Sequence, residues 1–152
     1  MTAIGQGLRA FHDSLPVDEC PYSWRATERL ERKLAAVRAG QSNPADWHPP
    51  YNDLTLDDAL AGLADEPPTG DLVVCHGDAC APNTLLNNDG IAVGHVDLGA
   101  LGVGERWADV AVASMSLSWN YGPGWEDAFY AAYGIDRDPE REAYFRLLWE
   151  VD

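Results

Sequence analysis

The spacing of apolar residues changes twice along this chain, dividing it into a helical, an extended and a second helical zone. In the first zone Ile4, Leu8 and Phe11 recur at helical intervals, predicting a helix over Gly5 to Ser14 that Pro16 ends. A second helix is predicted from a cap at Ser23 to about Arg38, with Leu30, Leu34 and Val37 on one face and Gly40 as its stop. Gln41 to Asn52, rich in Pro, Asn and Trp, is predicted as a loop. Thr55 and Asp58 have the spacing of a capping arrangement, opening a short helix to about Ala64, and Glu66-Pro67-Pro68-Thr69-Gly70 reads as a turn.

The periodicity then shortens. Leu72-Val73-Val74-Cys75 is a buried strand in the making, and Thr84-Leu85-Leu86 with Ile91 to Val96 reads as a hairpin around Asn87-Asn88-Asp89-Gly90. If Leu86 pairs near Ile91, Asn83 falls opposite Gly94, within a few residues of Asp97. Beyond Gly104 the helical period returns. Helices are expected over Glu105 to about Trp119, over Trp125 to Tyr133 with Gly134 closing it, and from Asp138-Pro139, with proline at the first helical position. The pattern implies one mostly helical α+β domain spanning 1–152, with a small central β-hairpin element.

Composition narrows the function classes. With 46% hydrophobic residues, six Trp and six Tyr, the chain has enough apolar surface to fold around a core. No apolar run approaches the roughly 20 residues of a membrane span, and the first residues lack the basic and apolar stretches of a secretory signal. Cys20, Cys75 and Cys80 are odd in number, follow no zinc-ligand spacing and read as small buried hydrophobes in a reducing cytoplasm. The net charge of −15 argues against nucleic acid and anionic membranes as partners, and an acidic cleft would favour a cationic small molecule.

The residues able to do chemistry gather in the central zone. His76-Gly77-Asp78 follows the first strand, Asn83 precedes the hairpin, and Asp97-Leu98-Gly99 follows it. Asp78 can take a proton from an attacking hydroxyl. Asn83 and Asp97 offer one neutral and one charged oxygen to a hard cation such as magnesium. His76 suits a role in fixing the loop through a backbone hydrogen bond. A base beside two metal ligands is what phosphoryl transfer from a magnesium nucleotide requires. A rival reading takes His76, Asp78, His95 and Asp97 as two His-x-Asp pairs ligating the metal of a hydrolase, which leaves Asn83 without a role.

The stretch from Val74 to Leu86, with His76-Gly77-Asp78 and Asn83, resembles the catalytic loop of the aminoglycoside 3'-phosphotransferase family. Gly94 to Ala111 resembles that family's metal-binding segment and the helix after it. Tyr133-Gly134-Ile135, Tyr144 to Glu150 and the early Asp18-Glu19-Cys20-Pro21-Tyr22 are similar as well, so the likeness covers essentially the whole chain. The resemblance implies the C-terminal, catalytic lobe of a protein-kinase-like fold, without the N-terminal nucleotide lobe. It implies Asp78 as the catalytic aspartate, Asn83 and Asp97 as ligands of the magnesium that bridges ATP (or GTP) phosphates, and Asp109 as a structural brace of the catalytic loop. It implies Glu150 as a carboxylate contacting the cationic aminoglycoside.

Several departures accompany the likeness. Lys33, the single lysine, stands on a charged predicted helix with no strand context, and no group upstream of His76 suggests a grip on phosphates. Ala100 stands where the family commonly has an arginine near the transferred phosphate. Met115, Ser116 and Ser118 replace charged residues, and Val151-Asp152 replaces an apolar, aromatic ending. The expectation is a cytoplasmic, ATP-dependent antibiotic phosphotransferase, with the activity of this lobe on its own left open. The alternative is a non-catalytic lobe that holds a cationic ligand. Apolar surface left uncovered by a missing lobe predicts self-association.

Overall fold

The computed structural model describes residues 1–41 and 43–151. Ser42 in the predicted loop and Asp152 in the divergent ending lie outside the described residues. Six α-helices surround two small antiparallel sheets in these residues. Helix α1 (Thr2–Ser14) turns Ile4 and Leu8 inward against α5 (Glu126–Tyr133), whose Phe129 and Tyr133 are fully buried. Gly134 ends α5 in the left-handed conformation, at φ 82°. Helix α4 (Trp107–Tyr121) runs through the centre, shut from water from Trp107 to Leu117, and α6 (Pro139–Val151) lays Phe145, Leu148 and Val151 along it. Each such side chain contributes about 1.5–3 kcal/mol by leaving water.

Helix α2 (Ala26–Arg38) departs from the predicted face and cap. Its buried residues are Ala26 and Arg29, whereas Leu30, Leu34 and Val37 are only half-buried. Ser23 is not its cap but forms a parallel bridge with Val103, and the helix starts after Arg25 with no side-chain cap. A Cβ on Gly102 would stand 2.8 Å from the Ser23 carbonyl carbon, so glycine there lets the segment lie against the sheet. Helix α3 (Leu56–Gly62) starts at the Thr55–Asp58 capping box, with both reciprocal bonds made.

Strand β1 (Leu72–Cys75) pairs antiparallel with β4 (Gly102–Glu105), where the sequence pattern had predicted loop and the first turn of a helix. Gly-Val-Gly-Glu has little strand propensity. Its pairing comes from β1 on one side and the Ser23 segment on the other. The hairpin strands β2 (Thr84–Leu86) and β3 (Ala92–His95) pair Thr84 with His95 and Leu86 with Ala92, through a bulge between Leu85 and Leu86. Asn83 therefore faces Val96, not Gly94, two residues nearer to Asp97 than predicted. Along and beside the hairpin, Leu85, Leu86, Ile91, Val93, Val96 and Leu98 are exposed.

Candidate active site

The loop after β1 is held from beneath by one carboxylate. Asp109, in the first turn of α4 and fully buried, accepts the His76 backbone N–H at 2.5 Å and the Gly77 N–H at 2.9 Å. Burial pushes this carboxyl up, but His12 and the two backbone donors outweigh it and hold it below its ordinary value. His12 Nε2 lies 2.9 Å from Asp109, and its Nδ1 lies 2.7 Å from the Tyr133 hydroxyl. Gly77 takes φ +86°, and a Cβ there would stand 2.2 Å from the Ala100 carbonyl oxygen, so no side chain fits.

His76 locks the loop to the hairpin. Its Nε2 donates to the Val96 carbonyl at 2.9 Å, and its Nδ1 accepts the Asp78 N–H at 3.3 Å, which fixes the proton on Nε2. Both ring nitrogens are thereby engaged. The His95 ring stands edge-on to His76 at 5.7 Å, with Phe11 against both, and burial lowers the His95 pKa. Among the described residues, no three or more His, Cys, Asp or Glu side chains gather where they could hold a metal ion. The histidines of the two His-x-Asp pairs meet as packed rings.

Asp78 and Asn83 are in direct contact. The Asn83 amide nitrogen donates to the Asp78 carbonyl at 2.9 Å and to its Oδ2 at 3.2 Å. That orientation leaves the Asn83 side-chain oxygen on the other side of the amide. Asp78 Oδ1 is buried with no hydrogen-bond partner among the described residues, a costly state for a carboxylate oxygen unless a ligand completes it. Cys80 packs alongside; burial, reinforced by Asp78, pushes its thiol up to about 12, so it stays protonated. Cys75 is buried, but Cys20 and Cys80 are partly open to solvent, against the prediction that all three are buried.

Asp97 is brought next to Asn83 by a backbone bond from the Val96 N–H to the Asn83 carbonyl, 3.0 Å long. It has φ 62°, the only positive value at a non-glycine residue among those described. Such conformations persist where the surroundings impose them, and they concentrate at functional sites. Ser116 Oγ accepts the Ala81 N–H at 2.9 Å, so this serine of α4 anchors the far end of the loop.

Glu150 is next in sequence to Trp149, which lines a cavity with Asp78. The Glu150 carboxylate accepts the His48 backbone N–H at 2.9 Å and the His48 Nδ1–H at 3.0 Å, with its side chain only 2% exposed. The His48 ring stacks on Trp119 at 4.6 Å. Glu150 ties a loop to α6, and both of its oxygens are in use.

Sequence reasoning missed His12, Tyr133 and Ser116 as supports of the loop. His12 left a signal, for it continues the Ile4–Leu8 row at a spacing of four, where a polar residue must find a buried partner. Sequence reasoning also missed a cavity of about 340 Å³ beside Asp78, walled by Trp24, Arg29, Arg32, Ala100 and Trp149.

Residues 1–145 match the model of the phosphotransferase enzyme family. The chain belongs to that family. It is 38% identical to the aminoglycoside 3'-phosphotransferase of Streptomyces fradiae over 163 residues, covering 97% of this chain and 58% of that protein. Its fold is similar to a crystal structure of an aminoglycoside-3'-phosphotransferase of type VIII, with TM-score 0.85, 28% identity and coverage of 99% of this chain and 60% of that one. It is also similar to the Streptomyces rimosus aminoglycoside phosphotransferase APH(3'')-Id in complex with ADP and streptomycin, with TM-score 0.77, 26% identity and coverage of 99% and 62%. This phosphotransferase-family chain thus spans about 60% of the length of the relatives it matches, with the mostly helical α+β architecture of the kinase-like phosphotransferases.

Proposed function

We propose that this chain is the acceptor-binding and catalytic part of an ATP-dependent O-phosphotransferase acting on an aminoglycoside-type alcohol. The observation that carries the reading is the buried, unpartnered Oδ1 of Asp78, held beside Asn83 on a loop fixed through Asp109 and His76. An acceptor hydroxyl would complete that oxygen's hydrogen bonding and be aimed by it, with Asp78 taking the proton as the oxygen attacks phosphorus.

Magnesium fits the donor set: the Asn83 side-chain oxygen turned away from Asp78 and the exposed Asp97 carboxylate are hard ligands on adjoining backbone. When bound, the ion neutralises charge on the donor nucleotide's phosphates. His76 and Asp109 keep the loop in shape and touch no substrate. The donor is ATP or GTP and the acceptor a cationic drug, in keeping with the net charge of −15. The cytoplasm, where nucleotide and drug meet, is the compartment we assign; no described helix is long and apolar enough to cross a membrane.

The purified chain with magnesium ATP and kanamycin is expected to release ADP, and Asp78→Asn to lower the release by about 10²–10⁴-fold. A second reading, binding without turnover, is favoured by the placement of Lys33, the single lysine, on helix α2 and not on a strand beside the site. Calorimetric binding of kanamycin with no ADP release would decide for that reading.

A further inference from the structure

The cavity beside Asp78 has a wall of opposite sign. In a chain of net charge −15, helix α2 sends Arg29 and Arg32 to the same hollow that Asp78 and Ala100 border. Both guanidinium groups lie against the Trp24 ring, Arg29 at 4.4 Å and Arg32 at 5.5 Å from its centre. Trp24 is itself fixed, its backbone N–H donating to the Val103 carbonyl at 2.7 Å. Arg29 is 1% exposed and lies beneath, whereas Arg32 is open to solvent at the rim. A buried guanidinium under an exposed one, both on one ring, gives a positive wall with little conformational freedom to lose. Ala100 contributes only a methyl group, so the space stays open.

The acids in the surroundings include Asp78 in the cavity wall, Glu28 and Glu31 on the helix of Arg32, and, deeper around Arg29, Glu105, Asp109 and Glu66. A cationic ligand would meet the exposed Arg32 guanidinium at the rim of this hollow. A tetrahedral oxyanion would find a forked donor opposite the carboxylate that aims the acceptor.

We propose that this cavity is an oxyanion subsite in which Arg32, backed by Arg29 and clamped on Trp24, receives a phosphoryl group next to Asp78. The proposal deepens the phosphotransferase reading and rests on it for the identity of the phosphoryl group. The fold thereby supplies, from α2, a phosphate grip that the linear sequence upstream of His76 did not reveal. The same chemistry has two sources: the terminal phosphoryl group of a donor nucleotide, or the phosphomonoester left on the acceptor.

The test is titration of the full chain with inorganic phosphate at constant ionic strength. It is read by calorimetry and by the Trp24 indole N–H resonance, whose nitrogen is buried with no hydrogen-bond partner among the described residues. Saturable binding is expected. Arg32→Ala should weaken it about tenfold or more, the worth of one charge-assisted hydrogen bond, and Arg32→Lys should fall between. Arg32 is exposed, so circular dichroism of Arg32→Ala should match the parent. No binding beyond that of chloride, or an affinity unchanged in Arg32→Ala, overturns the proposal.

Competition identifies the source. Metal-free ADP displacing phosphate assigns the donor side, glucose 6-phosphate doing so assigns the acceptor side, and displacement by neither overturns the phosphoryl assignment. None of these measurements needs turnover. Arg32-dependent phosphate binding without ADP release sinks the transferase reading alone, whereas ADP release without phosphate binding sinks the subsite alone.

Discussion

The carboxylate of Asp109 meets Nε2 of His12 at 2.9 Å, although 97 residues separate them and both side chains are closed to water. The same carboxylate takes the two N–H groups that shape the loop of Asp78. Removing it would leave three buried groups without their partner. Asp109→Ala is expected to destabilise the fold by about 3–5 kcal/mol, since each buried group left without its hydrogen-bond partner costs about 1–3 kcal/mol, measured by urea unfolding.

The pH dependence of that carboxyl has a definite sign. Its folded-state pKa lies below its ordinary 3.8. Its stabilisation is therefore complete above that value and is lost as pH falls through the lower, folded-state pKa. In urea melts on the acid side, the parent should lose more stability than Asp109→Asn, which has no proton to gain; equal losses would contradict the arrangement.

Asp78→Asn should reduce transfer by about 10²–10⁴-fold, the worth of a positioned general base, with an unfolding midpoint close to the parent. Asn83→Ala should raise the magnesium concentration needed for half-maximal ADP release. A fall in rate at saturating magnesium equal to that of Asp78→Asn would instead give Asn83 a share in aiming the base.

Glu150→Gln separates substrate contact from loop anchoring. With both oxygens bonded to His48, the loss of the charge should weaken the loop by about 1–3 kcal/mol and alter the fluorescence of Trp119, which stacks on the His48 ring. If only drug affinity changes, with stability and fluorescence intact, Glu150 contacts the drug directly.

Burial raises the Glu105 pKa, an effect that Arg141 and the Gly70 N–H oppose. Arg141→Ala should raise it further, followed by carbon-detected NMR titration of the side chain. Because the folded state then holds its proton more tightly, that variant should gain relative stability as pH falls through the raised pKa toward 4.5.

The apolar strip on the hairpin, with Val93 at 63% and Ile91 at 59% exposure, is expected to drive self-association. Sedimentation should show a concentration-dependent oligomer that Val93→Glu disperses, since a charge in such a patch opposes its burial.

Short-range chemistry was legible in the letters. The capping box at Thr55, the turn at Asn87 to Gly90 and the proline start of α6 each follow from one residue type satisfying its own neighbours. The Asp78 and Asn83 contact spans five residues, and the hairpin that returns the chain to Asp97 is encoded by a local turn. The bulge between Leu85 and Leu86 was not legible, because a register slip depends on what packs on each face. Strand β4 was invisible for a similar reason, since its glycines form a strand only when β1 and the Ser23 segment flank them.

By itself the sequence determined the helices, the hairpin and which side chains could do chemistry, because caps, turns and apolar periods are settled within a few residues. Tertiary structure alone decided which groups meet. His12 reaching Asp109, Glu150 bonded to His48, and Arg32 and Asp78 lining one cavity all depend on how helices far apart in the chain pack around one core, which no local spacing encodes.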